Sequence, residues 1–305
     1  MDRRKFFKLS GCIASSSLLG SCGKEWENSK QITKNRKEPG KNYNAKLIDT
    51  VRCVGCRSCE EACNAENNLP KPEKPFDDES VFENYRRLNA ERYTVVNSFN
   101  DENADAGRYT VKISCNHCTT PACASACIVN ALYKDKSGAV AYDPWKCIGC
   151  RYCQIACPFQ IPAYEFSNPL TPKVKKCTLC YPRTRQAGEI PACAEACPAE
   201  AIKYGPRAEL LIEAKQRIKD EPELYINYVY GEKEVGGTSV LYLAGTEFKN
   251  LKFPAFGNTP IPELTEKIQH GIFKFFVPPA ALFATLGAIM LFTKKKNDKK
   301  NNEED

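Results

Sequence analysis

Trp145 to Phe159 reads WKCIGCRYCQIACPF, and its cysteines Cys147, Cys150, Cys153 and Cys157 follow the spacing C-x2-C-x2-C-x3-C. Three further quartets share its outline: Cys53-Cys56-Cys59-Cys63, Cys115-Cys118-Cys123-Cys127 and Cys177-Cys180-Cys193-Cys197. Each opens with C-x2-C and closes with C-x3-C, so sixteen of the eighteen cysteines belong to one repeated pattern. This is ligand spacing for [4Fe–4S] cubes, in which three cysteines of a run wrap one cube and the fourth ligates a neighbour. Four quartets imply four cubes in two pairs, a conductor for single electrons.

A cube needs one thiolate at each iron. A short loop such as Cys147 to Cys153 can curl round three corners, with Gly149 letting backbone N–H groups approach the sulfurs, and the fourth corner must come from elsewhere. Two quartets end Cys157-Pro158 and Cys197-Pro198, as the bacterial iron–sulfur run does, whereas Asn64 follows Cys63 and Ile128 follows Cys127. A disulfide framework suits small secreted domains and leaves four near-identical quartets unexplained. Zinc does not call for a triple repeat, and with two histidines in the chain its ligands would all have to be cysteine.

Both ends of the chain carry targeting features. Arg3-Arg4 followed by Phe6-Phe7-Lys8 resembles a twin-arginine export signal, with Asp2 where Ser or Thr is usual. Leu9 to Gly20 is the apolar region, too short to span a bilayer, and residues 1–22 form the signal. Leu19-Gly20-Ser21-Cys22 resembles a lipoprotein box that would lipidate Cys22; in the other reading Cys22 is an inert part of the signal, as is Cys12. Clusters are assembled in the reducing cytoplasm, so a route for folded cargo fits, since sixteen free thiols exported unfolded would oxidise to disulfides. At the other end, Phe275 to Phe292 reads FFVPPAALFATLGAIMLF, eighteen residues without a charge, followed by Lys294-Lys295-Lys296 and Lys299-Lys300. That is near the minimum for a transmembrane helix, and the lysines place the 293–305 tail in the cytoplasm. Pro278-Pro279 are tolerated in such helices. A buried or interfacial helix is the alternative.

Between the ends, residues 23–44 form a polar linker and residues 45–204 a cluster domain with an insertion at 64–108. Arg92 to Val96 and Tyr109 to Ile113 are β-rich runs that predict a hairpin feeding the second quartet. In the extension at 205–270, Leu211, Ala214, Lys215 and Ile218 predict a helix over Ala208 to Lys219, and Gly236 to Leu243 a turn and strand. The fold class is α+β.

The formal net charge is +7 with cysteines counted neutral. Losing residues 1–21 leaves about +4. With about −2 for each oxidised cube and its thiolates, the loaded mature chain is modestly acidic, which excludes a nucleic-acid role for the basic charge. There is no haem C-x-x-C-H, no P-loop and no Rossmann fingerprint in a suitable context. No nucleophile–base constellation stands out either, so no bond chemistry of its own is expected. His117, between Cys115 and Cys118, is a candidate hydrogen-bond donor that would raise a cluster potential, or else a loop side chain packed or wet. Trp145, Tyr152 and Phe159 are expected to shield the cubes as core aromatics.

The third quartet, and CNHCTTPACASAC in the second, resemble those of the four-cluster ferredoxin-like iron–sulfur subunits of membrane-bound oxidoreductases. With the twin-arginine start, the C-terminal helix and YGEKEVGGTSVLYLAG at Tyr230 to Gly245, the chain looks most like the exported electron-transfer subunit of hydrogenase-2-type nickel–iron hydrogenases. The resemblance implies two pseudo-symmetric bacterial-ferredoxin-like halves holding four [4Fe–4S] clusters, with a β-hairpin insertion and one C-terminal transmembrane helix. It implies four ligand sets: Cys53, Cys56, Cys59 and Cys197; Cys63, Cys177, Cys180 and Cys193; Cys115, Cys118, Cys123 and Cys157; and Cys127, Cys147, Cys150 and Cys153. It implies a non-catalytic subunit on the periplasmic face of the cytoplasmic membrane. Its partners would be the hydrogenase small and large subunits and an integral-membrane quinone-reactive subunit. The alternative is the same role in a molybdopterin-dependent or other quinone-linked oxidoreductase.

Overall fold

The computed structural model describes residues 43–102, 104, 106–167, 173–186, 188–266, 282–291 and 293. The signal, Cys12, Cys22 and nearly all of the 23–44 linker lie outside these. The chain divides into two units, Met1–Pro260 and Ile261–Asp305.

In chain order the first unit comprises β1 (Asn44–Asp49), α1 (Ser58–Glu66), a 3-10 turn (Glu79–Glu83), β2 (Thr94–Asn100), β3 (Arg108–Ser114), α2 (Ala122–Ser125), β4 (Leu132–Lys134) and β5 (Val140–Tyr142). It continues with α3 (Tyr152–Ala156), β6 (Ala163–Tyr164), β7 (Val174–Lys175), α4 (Tyr181–Thr184), α5 (Ala192–Glu195), β8 (Ile202–Pro206), α6 (Arg207–Asp220) and β9 (Val240–Leu243). β1 is the middle strand of a three-stranded sheet, antiparallel to β8 and parallel to β9. The extension therefore packs as part of the cluster-bearing unit, which runs on to Pro260.

Both faces of β1 are covered. Alternate residues Ala45 and Leu47 pack against Leu210, Ala214 and Ile218 of α6. Ile48 points the other way, into a core with Cys59, Cys193 and Ile202. α6 extends the predicted helix by one residue at each end, and its buried stripe is Leu210, Ala214, Arg217 and Ile218. Lys215 faces outward and pairs with Glu232 at 2.5 Å. The predicted hairpin is present as β2 and β3, paired from Thr94↔Ser114 to Asn100↔Arg108.

Where β1 ends, the buried Asp49 accepts hydrogen bonds from the backbone N–H of Val51 (3.1 Å) and Arg52 (3.2 Å). It also accepts from Arg217 (2.7 Å) and Tyr225 (2.8 Å). The clamp fixes the turn that delivers Cys53. Gly138, in the β4–β5 turn, has φ +93°, and a Cβ there would lie 2.2 Å from the Asn44 carbonyl oxygen. Gly138→Ala is expected to cost about 1–3 kcal/mol, read as a lower midpoint in thermal unfolding of the cluster-loaded protein.

In the second unit, residues 282–291 are helical and Phe283, Met290 and Leu291 are more than 70% exposed. Among the described residues no helix is long and apolar enough to cross a membrane. Residues 275–281 and 292 of the expected span lie outside the described residues.

Candidate metal centre

The four quartets adopt one local backbone form. The residue before the second cysteine is left-handed in each: Gly55 (φ 75°), His117 (46°), Gly149 (72°) and Leu179 (58°). The third cysteine of each lies in a helix: Cys59 in α1, Cys123 in α2, Cys153 in α3 and Cys193 in α5. Three residues past the last cysteine the chain is left-handed again at Asn130, Gln160 and Glu200. The first quartet departs because α1 runs on to Glu66, and there Asn67 donates its side-chain N–H to Cys63 Sγ at 3.6 Å. Left-handed backbone costs a non-glycine residue about 1–2 kcal/mol. His117 and Leu179 bear that strain for a reason visible in the bonds: the turn aims backbone N–H groups at sulfur. Leu179 N donates to Cys177 Sγ (3.4 Å), as Ala131 N does to Cys127 Sγ (3.1 Å).

The turns gather cysteines that are far apart in the chain. The Cys53 thiol lies within electrostatic reach of Cys56 and Cys197, and Cys59 within reach of Cys53. The same four line one enclosed hollow with Ile48, Val96 and Ile202. Cys63 is within reach of Cys177, Cys180 and Cys193. Cys123 is within reach of Cys115, Cys118 and Cys157, and Cys153 of Cys127, Cys147 and Cys150. The groups adjoin in that order. Cys59 and Cys193 share a core, Cys63, Cys115 and Cys177 share another, and Cys123 and Cys153 a third. Exposed cysteines occur only in the first and last groups, at Cys56 and Cys150, while every cysteine of the second group is buried.

Burial dominates the thiol chemistry. It pushes Cys118 up to about 12, and Cys153, Cys157 and Cys180 up to about 11. Cys177 is the exception: burial raises it too, but Lys46, Lys112 and the Leu179 N–H together bring it below the ordinary thiol value. Loading metal must therefore drive protons off most of these groups.

The sixteen cysteines are all unpaired thiols. Among the described residues no three His, Cys, Asp or Glu side chains converge on a single-ion position; a cube places one thiolate on each of its four irons. Four thiols round one hollow, with backbone donors on the sulfurs, fit that group.

Other side chains depart from expectation. Trp145 is 96% exposed, in a surface turn where its backbone N–H donates to the Asp143 carboxylate (3.1 Å). Tyr152 is exposed as well, whereas the half-buried Phe159, edge-on to Phe256 at 5.1 Å, does pack against the cores of Cys59 and Cys193 and of Cys63, Cys115 and Cys177. Other aromatics share the buried clusters of the thiols, Tyr93 with Cys63, Cys115 and Cys177 and Tyr164 with Cys123 and Cys153. His117 is fully buried, its Nδ1 accepts the Val140 N–H (2.8 Å), and its Nε2 has no partner among the described residues. Burial, then the surrounding lysines, hold its pKa well below the usual range, so it is neutral. Sequence reasoning missed the buried lysines Lys46, Lys112 and Lys176. Their one signal was position, in strands or directly before a cysteine.

This site and fold define a [4Fe–4S] electron-transfer protein, and the 4Fe-4S dicluster domain family matches residues 108–207. The chain belongs to the ferredoxin-like iron–sulfur subunits of oxidoreductases. It is 32% identical, over all of its length and 99% of the relative's, to the Hydrogenase-2 operon protein HybA of Escherichia coli O157:H7. It is 34% identical to the Formate dehydrogenase-O iron-sulfur subunit of Escherichia coli, over 81% of each chain. A protein of Nitratidesulfovibrio vulgaris is 44% identical over 81% of this chain, which spans 65% of that relative's length. The sixteen cysteines suffice for four [4Fe–4S] clusters.

Proposed function

We propose that the chain is the electron wire of a hydrogenase-2-type complex, joining the hydrogenase small subunit to a quinone-reactive membrane subunit. The four thiol groups are the four ligand sets, in two ferredoxin-like halves. A cube bound at each supplies one-electron redox chemistry. The chain's own residues hold the thiolates, exclude water and keep neighbouring sets in contact. The observation that carries this reading is the row itself: four adjoining groups whose exposed cysteines lie only in the first and last. An electron can enter at one end and leave at the other with no wet cluster between.

The hydrogenase partner is supported by the end-to-end match to the Hydrogenase-2 operon protein HybA. In the stretch Tyr230 to Gly245, Tyr230 pairs with Tyr242 and the Glu234 carboxylate accepts the Gly231 N–H at 2.6 Å. The match to the Formate dehydrogenase-O iron-sulfur subunit favours a second reading, the same wire in a molybdopterin-dependent complex. Twin-arginine export and a C-terminal anchor with its lysine tail inside would set the wire on the periplasmic face. Affinity purification of the membrane complex and identification of its catalytic subunit tests this. A nickel–iron subunit is expected, a molybdopterin subunit moves the chain to the second reading, and bound zinc without a reducible signal overturns both.

A further inference from the structure

Three ammonium groups lie at the centre of the first unit. Lys46 is 0% exposed, Lys112 1% and Lys176 5%. Among the described residues none has a carboxylate partner. Lys46 Nζ is 4.0 Å from both Cys177 Sγ and Cys193 Sγ, and these sulfurs are its hydrogen-bond acceptors. Lys112 donates to Thr94 Oγ1 (2.7 Å), and Lys176 to the carbonyl oxygens of Val140 (2.6 Å) and Cys177 (3.1 Å). Lys112 is within electrostatic reach of Cys59, Cys63 and Cys177, and Lys176 of Cys115, Cys123 and Cys177. The groups acting most strongly on Cys153, in the last group, are other cysteines.

A lysine is almost never fully buried unless paired, since an isolated buried ammonium costs many kcal/mol. Three together without a carboxylate require another anion, and the thiolates of the first three groups are the anions within reach: Lys112 lines the hollow of Cys53, Cys56, Cys59 and Cys197, and Lys46 and Lys176 face the second and third groups. We infer that Lys46, Lys112 and Lys176 are a built-in counter-charge for the first three thiolate sets, and raise the reduction potentials of the clusters those sets hold above what burial alone would leave them. The inference rests on the four-cluster reading. Its sign follows from charge: a cube with four thiolates carries about −2 oxidised and about −3 reduced. A fixed cation beside it favours the reduced form, offsetting the burial that opposes it. These lysines are positioning residues, acting through the thiolates.

The test is an EPR-monitored dithionite titration of the intact membrane complex, one electron per couple, alongside iron analysis. In Lys46→Met at full iron content, at least one couple other than that of the Cys150 group should become tenfold or more harder to reduce, about 59 mV. The couple of the Cys150 group should stay in place. Lys46→Arg should restore most of the shift, and the surface variant Lys215→Met should move nothing. Full iron with every couple unmoved in Lys46→Met overturns the inference, as does a Lys46→Arg protein whose couples fall as far. If Lys46→Met loses iron, Lys112→Met is judged by the same criterion. Iron lost from both Met variants but kept in Lys46→Arg supports the counter-charge, and iron lost from all three overturns it. A wild-type complex with no reducible cubane signal is a different result, and fails the electron-wire reading itself.

Discussion

Cys177→Ala is expected to stop quinone-linked electron delivery, by at least roughly 100-fold, the upper end of the cost of losing even an outer-shell partner. Iron should fall by about four atoms per chain as one cube is lost. Cys177 is buried in the second group, takes the Leu179 N–H and shares Lys46 with Cys193. Its removal takes one thiolate from the middle of the row and leaves a buried ammonium short of a partner. A gap in a linear array has no detour. The activity of the proposed catalytic partner with an artificial dye should survive, because on the proposed path that electron would not enter this chain. Iron analysis, EPR and the two activities measured together check it; unchanged iron with unchanged quinone reduction would sink both the ligand assignment and the linear path.

The second large effect is structural. Glu60 follows Cys59 in α1 and is 5% exposed. Its carboxylate accepts from Arg57 (3.3 Å), from Arg86 (2.5 and 3.1 Å) and from the Val96 N–H (2.6 Å) of β2. One side chain thus ties the first-quartet helix to the hairpin and to the insertion. Glu60→Leu leaves the 3%-exposed Arg57 side chain and its neighbour Arg86 without their counter-ion. Removing one partner of a buried pair costs about 3–5 kcal/mol, which for a unit of this size lowers the melting temperature on the order of 10 °C. Anaerobic thermal unfolding of the loaded protein checks this. Glu60→Gln, which keeps the acceptor for Val96 but not the charge, should fall between the two. A Glu60→Leu protein that melts with the wild type would show that the network contributes little.

What could be read ahead of the structure followed from short-range rules. Ligand spacing is local, so the quartets stood out from Trp145 to Phe159 outward, and the hairpin from its two β-rich runs. The helical spacing behind α6 runs through Leu211, Ala214, Lys215 and Ile218, whereas the buried stripe is Leu210, Ala214, Arg217 and Ile218, because spacing alone admits two neighbouring stripes. Trp145 was misplaced because an aromatic beside a cysteine suggests a shield, whereas the Asp143 turn carries it outward. Lys46 and Lys112 were invisible for a deeper reason. A lysine in a strand reads as the solvent side, and only anions brought from distant segments make its burial tolerable. Cys177 and Cys193 are far from Lys46 in the chain, so no local pattern could announce them.

The middle strand of the main sheet is the first to be made, and both of its partners, β8 and β9, come near the end of the unit. A ribosome adding about 5–20 residues per second leaves β1 and the first quartet without them for on the order of ten to thirty seconds. Throughout that interval the nascent chain presents open strand edges and unsatisfied thiols. The thiols that gather round Cys53 are therefore complete only once Cys197 has been made, and the sheet can close only after translation has passed Leu243.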